Sequence, residues 1–274
     1  DGTVCVIFQP AEEGGAGGKA MIDDGLLEKF PIQEFYGMHN RPNLEVGKFT
    51  TCPGPMMASV DEIKITIEGM GTHAAAPHFG IDPVPVMAAL IQAVQTIVSR
   101  NLDPIESAVL SITQINAGDA FNVIPQKVNL RGTVRCLDEA VRDMVEEKLG
   151  RAVEHIAAAF GAKGELEYLR LYPVTVNNAD AVENVLAAAA EVAGLENTSG
   201  EMPPALGGED FSFMLNERPG AMIMVGNGPG AMVHHPKYDF NDDVIPGGCS
   251  FWTTLVRQRL PTSNPVSIEG SVKH

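Results

Sequence analysis

The chain has 274 residues, 45% of them hydrophobic, enough for one large domain or two ordinary ones with cores of their own. Its 19 basic and 35 acidic residues leave a formal charge of −16, and no block of Lys or Arg could follow a phosphate backbone, so nucleic acid is not an expected partner. No apolar run approaches the roughly 20 residues that a spanning helix needs, so membrane insertion is not expected either.

Residues 3–8 form an apolar run that reads as a short buried strand, leading directly into "QPAEEGGAGG". Residues 17–29 read as a helix with Ala20, Met21, Leu26 and Leu27 on its apolar side, and 35–39 as a second strand ending in "GMHNRP". Pro and Gly interrupt the pattern at "TCPGPMMAS". After that break, "DEIKITIEG" alternates Ile63, Ile65 and Ile67 with polar neighbours, the period of a strand covered on one face. Helical spacing follows over 83–100, then two strand-like runs, "SAVLSITQI" and "KVNLRGTVRC", a long helix over 140–160 and a strand at "AKGELEYLRLY". That order of elements is the ferredoxin-like βαββαβ unit. The remainder resumes an α/β pattern: an Ala-rich helix over 180–193, a turn into a helix at "GGEDFSFM", the strand "AMIMVGN", and a helix beginning near Gly247. A small domain over 59–172 is therefore expected to be inserted into a discontinuous larger one, 1–58 with 173–274. The tail after Pro261 reads as a disordered end.

The cysteines, Cys5, Cys52, Cys136 and Cys249, are scattered without a CxxC pair. They read as reduced cytoplasmic thiols rather than a disulfide framework. The chain starts at Asp1, without Met and one step before a predicted strand, so an upstream segment is expected.

His and acidic residues gather in five short segments, "QPAEEGG", "GMHNRP", "GMGTHAAAPH", "LGGEDFSF" and "VHHPKYDFND". Taken singly, a His after a strand reads as a hydrogen-bonded structural residue and a double Glu as a solvated pair. Their shared placement at predicted strand ends and Gly/Pro-bounded loops is where open α/β sheets hold ligands. Imidazole and carboxylate together suit zinc, manganese or cobalt, and a carboxylate beside the metal can take a proton from water. Adjacent glutamates fit that division between ligand and base.

Running from "FQPAEEGGAGG" through "GMHNRP", "GTHAAAPHFGIDP", "NVIP", "GTVR" and "LGGEDFSF" to "HHPKYDFND", the chain resembles the aminoacylase and hippurate hydrolase branch of the dinuclear metal-dependent peptidases. The resemblance covers nearly the whole chain in family order. It implies a zinc-peptidase-like mixed-sheet α/β catalytic domain with an inserted ferredoxin-like α+β lid and dimerisation domain, and a homodimer through that lid. It implies hydrolysis of N-acetyl or N-aroyl amino acids to a carboxylic acid and a free amino acid, with two divalent ions (Zn, Mn or Co) as cofactors. A dipeptidase or carboxypeptidase of the same family is an alternative.

Carried over by residue, the resemblance makes Glu12 the general base and Glu13, His39 and His234 metal ligands. His235 reads as solvated or as a supporting neighbour. His73 corresponds to a residue that reaches the partner subunit's active site and stabilises the oxyanion. Asn122 and Arg135 resemble lid residues that hold substrate carboxylate or carbonyl groups, although Arg135 also reads as a strand-surface ion pair. His78 lines the substrate pocket or is structural. Glu209 and Asp210 have supporting or pocket roles by resemblance, and Asp210 reads equally as a helix N-cap. One family motif, Cys-Gly-His-Asp followed by another His, has no counterpart in the chain, and none of the four cysteines can replace it. A truncated, catalytically inactive binding or assembly module is therefore the competing expectation.

Overall fold

The computed structural model describes residues 2–261. In chain order the elements are α1 (Gly17–Asp23), α2 (Leu26–Lys29), β1 (Phe35–Arg41), β2 (Phe49–Thr50), β3 (Gly54–Met57), β4 (Val60–Glu68) and β5 (Thr72–His73). There follow α3 (Pro83–Asn101), β6 (Ala108–Ala117), β7 (Val123–Ile124), β8 (Lys127–Cys136), α4 (Glu139–Ala159) and β9 (Lys163–Tyr172). The chain then forms β10 (Thr175–Asn177), α5 (Ala179–Ala193), β11 (Thr198–Ser199), α6 (Ser212–Glu217), β12 (Gly220–Gly226) and α7 (Ile245–Arg259).

β4, α3, β6, β8, α4 and β9 build a four-stranded antiparallel sheet of order β6-β8-β4-β9, the ferredoxin-like arrangement that the element order predicts. One face is apolar because the side chains alternate. Ile63, Ile65 and Ile67 on β4 and Val128, Leu130 and Val134 on β8 are buried against Val86, Leu90 and Val94 of α3 and Val145, Leu149 and Val153 of α4. Both helices start where an Asp caps them: Asp82 accepts from the Val84 amide at 3.0 Å, and Asp138 from those of Ala140 and Val141 at 2.8 and 3.0 Å. A charged network is enclosed at one end of this core. Arg142 donates through Nε to both oxygens of Asp61, at 3.0 and 3.1 Å, and Tyr168 donates to Asp61 at 2.8 Å. The Asp61 side chain is wholly buried and that of Arg142 is 4% exposed.

The second sheet is mixed, of order β1-β12-β2-β11, with β1 and β12 parallel and β2 antiparallel to β12. β12 is buried along its whole length because both faces are covered. Ala221, Ile223 and Val225 pack with α5 and α7, and Met222 and Met224 pack with Met56, Met202, Met214 and Phe211 on the other side. Methionine fills the irregular second layer with its flexible thioether. Two-stranded ribbons, β3 with β10 and β5 with β7, complete the strands.

Two expectations need correction. Residues 3–8 form no strand among the described residues, and Val4, Val6 and Phe8 are 50, 71 and 89% exposed. Apolar runs become strands only when a neighbour takes up their backbone hydrogen bonds, and among the described residues no such partner lies beside this segment. The helix expected over 17–29 is two short ones, because Gly25 adopts φ +85°, a left-handed conformation that a continuous helix cannot hold. The tail beyond Pro261 lies outside the described residues. All four cysteines are free, Cys52 and Cys136 buried, Cys5 and Cys249 exposed. Among the described residues no helix is long and apolar enough to cross a membrane.

Candidate active site

The Gly-rich turn after Glu12 and Glu13 is required by close packing. A Cβ on Gly17 would lie 1.7 Å from the Pro10 carbonyl oxygen, and one on Gly18 would lie 2.8 Å from that of Asp210. The loop therefore folds back on itself and presses against the segment before α6. Tyr172, at the end of β9, donates its hydroxyl to the Glu12 carbonyl. Asp210 accepts hydrogen bonds from the Gly18 amide, at 2.8 Å, and from the Gln9 side chain. With its carboxylate so engaged, Asp210 does not cap α6, whose first turn is held instead by Glu209, which accepts from the Phe211 amide at 3.1 Å.

His39 stands near the carboxyl end of β1, where an open sheet presents its ligands. Its Nδ1 lies 2.6 Å from the Asn40 carbonyl oxygen, which leaves Nε2 for another partner. His234 sits in the loop after β12 with φ +66°, and its Nδ1 is 3.5 Å from Glu13 Oε2. Tyr238 of the same loop donates to Asn40 at 2.7 Å, tying the loop to β1. His235 instead accepts the Lys237 amide at 3.1 Å through Nδ1, so one of its ring nitrogens serves the turn.

Electrostatics brings these residues into one field. Burial pushes the half-buried Glu12 carboxyl upward, and the charges of Asp210 and Glu13 add to the rise, while His39 and His234 oppose it. Ligand-type oxygens of Glu12, Glu209 and Asp210 lie within 4.8 Å of one another. Burial pushes Glu209 up to about 7, against the pull of the Phe211 amide and with help from Glu12 and Asp210. Among the described residues only Glu12, Glu209 and Asp210 gather so closely; Glu13, His39 and His234, whose groups suit a divalent cation, act on Glu12 through charge.

Glu209 also gives a test of this field in the metal-free chain. Its raised pKa makes the folded chain the better proton binder, so the associated stability is present below the unfolded value and is lost as pH rises through about 7. Glu209→Gln keeps the acceptor for Phe211 and removes that loss. Thermal melts should show the variant above the parent at pH 8 by up to about 3 kcal/mol and level with it near pH 4. Equal melting points at pH 8 would place Glu209 in a solvated setting.

The remaining predicted residues lie on the ferredoxin-like unit. β5 and β7 pair Thr72 with Ile124 and His73 with Val123, and the Ala74 amide donates to the Asn122 carbonyl at 3.0 Å, so His73 and Asn122 are brought together. His73 is exposed, with Nδ1 accepting the Ala75 amide at 3.0 Å. His78 is exposed against the Phe79 ring, 4.0 Å between centroids. Arg135 is half-buried on β8 without an ion pair among the described residues, and its Nη1 is buried with no hydrogen-bond partner. Among the described residues no hydrogen bond or ion pair joins these four to the Glu12 loop. Gln9, Asn40, Tyr172 and Tyr238 are support residues that sequence reasoning passed over. Gln9, Asn40 and Tyr238 lie inside motifs already singled out, whereas Tyr172 lies outside them.

The chain is similar to several known proteins. N-acetyl-L-cysteine deacetylase of Bacillus subtilis (strain 168) is 39% identical over 244 residues, 89% of this chain and 58% of that protein. Hippurate hydrolase of Campylobacter jejuni subsp. jejuni serotype O:2 is 38% identical over 260 residues, 95% of this chain and 68% of that protein. A solved structure from Bacillus subtilis, described as a dinuclear metal binding peptidase from the M20 family, superposes with a TM-score of 0.79 at 31% identity, covering 93% of this chain and 64% of the other. The chain thus spans 58 to 68% of the length of these proteins. A family profile matches residues 1–258, and with the mixed sheet and the clustered Glu and His residues it leads to one conclusion: the chain belongs to peptidase family M20/M25/M40.

Proposed function

We propose that the chain supplies most of the active site of a metal-dependent amidohydrolase that cleaves N-acyl amino acids to a carboxylic acid and a free amino acid. The observation that carries this reading is the meeting of Glu12, Glu13, His39 and His234 in one electrostatic field. The deacetylase and hippurate hydrolase relatives support the substrate class. Glu13, His39 and His234 would hold part of a two-ion site for Zn, Mn or Co, completed by a Cys-Gly-His-Asp type segment upstream of residue 1. Such ions supply Lewis-acid polarisation of the amide carbonyl and acidify water. Glu12 takes the proton of the attacking water and passes it to the leaving amine. His73 donates to the developing oxyanion from the partner subunit. Asn122 and His78 contact the acyl part, and Arg135, whose Nη1 has no hydrogen-bond partner among the described residues, receives the substrate carboxylate.

Catalysis shared between subunits requires a homodimer through the unit spanning 59–172. Around the β5–β7 ribbon Phe79, Phe121 and Val123 are exposed, which supports a contact there. Sedimentation of the full-length protein should give a dimer, and a monomer with an intact 59–172 unit would remove His73 from catalysis. The free cysteines suit the reducing cytoplasm.

Metal binding is the direct test. Titration of the chain with manganese or zinc, monitored by calorimetry, should show binding that Glu13→Gln weakens strongly. Two tight ions would mean that this chain completes the cage by itself, and one weak ion would mean that the upstream segment is needed. Absence of binding both here and in the full-length protein would instead favour the inactive assembly module.

A further inference from the structure

Glu13 lies largely in solvent, its side chain 76% exposed, so its own packing does not fix it. Its position must come from the backbone of the loop, which carries Gly14 and Gly15 and therefore costs conformational entropy to order. Two bonds made by a single side chain bracket that loop. Asp210 is wholly buried, its Oδ2 accepts the Gly18 amide at 2.8 Å, and its Oδ1 accepts Gln9 Nε2. Gln9 precedes the loop and Gly18 follows it, whereas Asp210 is 192 residues further along the chain from Gly18. The carrier of Asp210 is itself held: Phe213 donates to the Asp210 carbonyl at 3.1 Å, and the Ser212 hydroxyl donates to the Glu209 carbonyl at 2.6 Å. The Asp210 carbonyl also packs so closely on Gly18 that no side chain fits between them.

We propose that Asp210 is a positioning residue that clamps both ends of the 9–18 loop and thereby sets Glu12 and Glu13 against His39 and His234. The clamp stands on the geometry alone, whereas its consequence for metal rests on the reading under Proposed function. A buried carboxylate needs donors, and this one takes them from the two ends of the loop rather than from its own helix.

Amide hydrogen exchange of the metal-free chain reads the clamp without any metal. Asp210→Ala should raise exchange at Gly15, Gly18 and Ala20 by roughly tenfold or more while β4 and β8 stay protected. Asp210→Asn, which retains an acceptor for Gly18, should restore most of the Gly18 protection. Manganese affinity should fall by roughly 10- to 100-fold in Asp210→Ala and less in Asp210→Asn. Glu13→Gln should lose manganese with no change in exchange. Unchanged exchange at 10–18 in Asp210→Ala overturns the clamp, and faster exchange with unchanged manganese affinity overturns its role in positioning. If neither the parent chain nor the full-length protein binds manganese, the metal reading fails while exchange still decides the clamp. Should Asp210→Ala not fold, Gln9→Ala removes one of the two bonds from the half-buried side, and unaltered exchange at 10–18 in that folded variant overturns the proposal equally.

Discussion

Glu12→Gln in the full-length protein is expected to lower kcat for N-acyl amino acid hydrolysis by roughly 100- to 10,000-fold, the usual contribution of a positioned general base. The substitution keeps the size of the side chain and removes only its capacity to take a proton. Its carbonyl, which accepts from Tyr172, is untouched, so the loop should hold its shape. KM should change little, because the proton moves in the transition state rather than on binding. Burial and the nearby charges of Asp210 and Glu13 already favour a proton on Glu12, which suits a group that must accept one and then release it. Metal stoichiometry separates the two roles that a carboxylate could have here. An unchanged ion count with collapsed kcat makes Glu12 the base, whereas loss of an ion would make it a ligand and pass the base role to a neighbour such as Glu209.

Arg142→Met is expected to cost about 3–5 kcal/mol of stability, the largest effect we foresee outside the site. It leaves the wholly buried Asp61 carboxylate without its guanidinium, and the Tyr168 hydroxyl, a neutral donor, cannot offset the charge. Arg142 also reaches Glu139, whose Oε1 accepts the Val174 amide at 3.0 Å, so the same change loosens the start of α4 where the chain leaves β9. A double change to apolar residues, Asp61→Leu with Arg142→Met, should recover much of the loss, because a buried pair as a whole contributes little while a broken one is costly. Urea denaturation of the parent and the two variants measures this. A single-variant loss below about 1 kcal/mol would show that water or the nearby Arg135 charge compensates Asp61.

Much of the fold is legible because its periods are strong. Ile63, Ile65 and Ile67 alternate so regularly that β4 and its covered face follow directly, and the capped apolar stripes of α3 and α4 complete the βαββαβ order. The apolar run at 3–8 has an equally clear pattern, yet it is exposed, since a strand exists only by virtue of the neighbour that its backbone bonds. β2, β3, β10 and β11 are two to four residues long, too short for any period to register.

The chemistry divides in the same way. The residue types, Glu12 with Glu13, His39 and His234, are written locally, because a ligand or a base needs a specific functional group at a strand end or in a tight loop. Which of them share one field is a matter of long-range folding. Glu13 and His234 meet although they lie at opposite ends of the described chain, and Asp210 reaches Gly18 and Gln9 only because the segment before α6 packs on α1. Sequence by itself determined the local periods and the inventory of groups, since both depend on neighbours in the chain. Tertiary structure alone decided the partners of Glu12, the buried setting of Glu209 and the clamp by Asp210, since hydrogen bonds and desolvation act over a few ångströms of space whatever the separation along the chain.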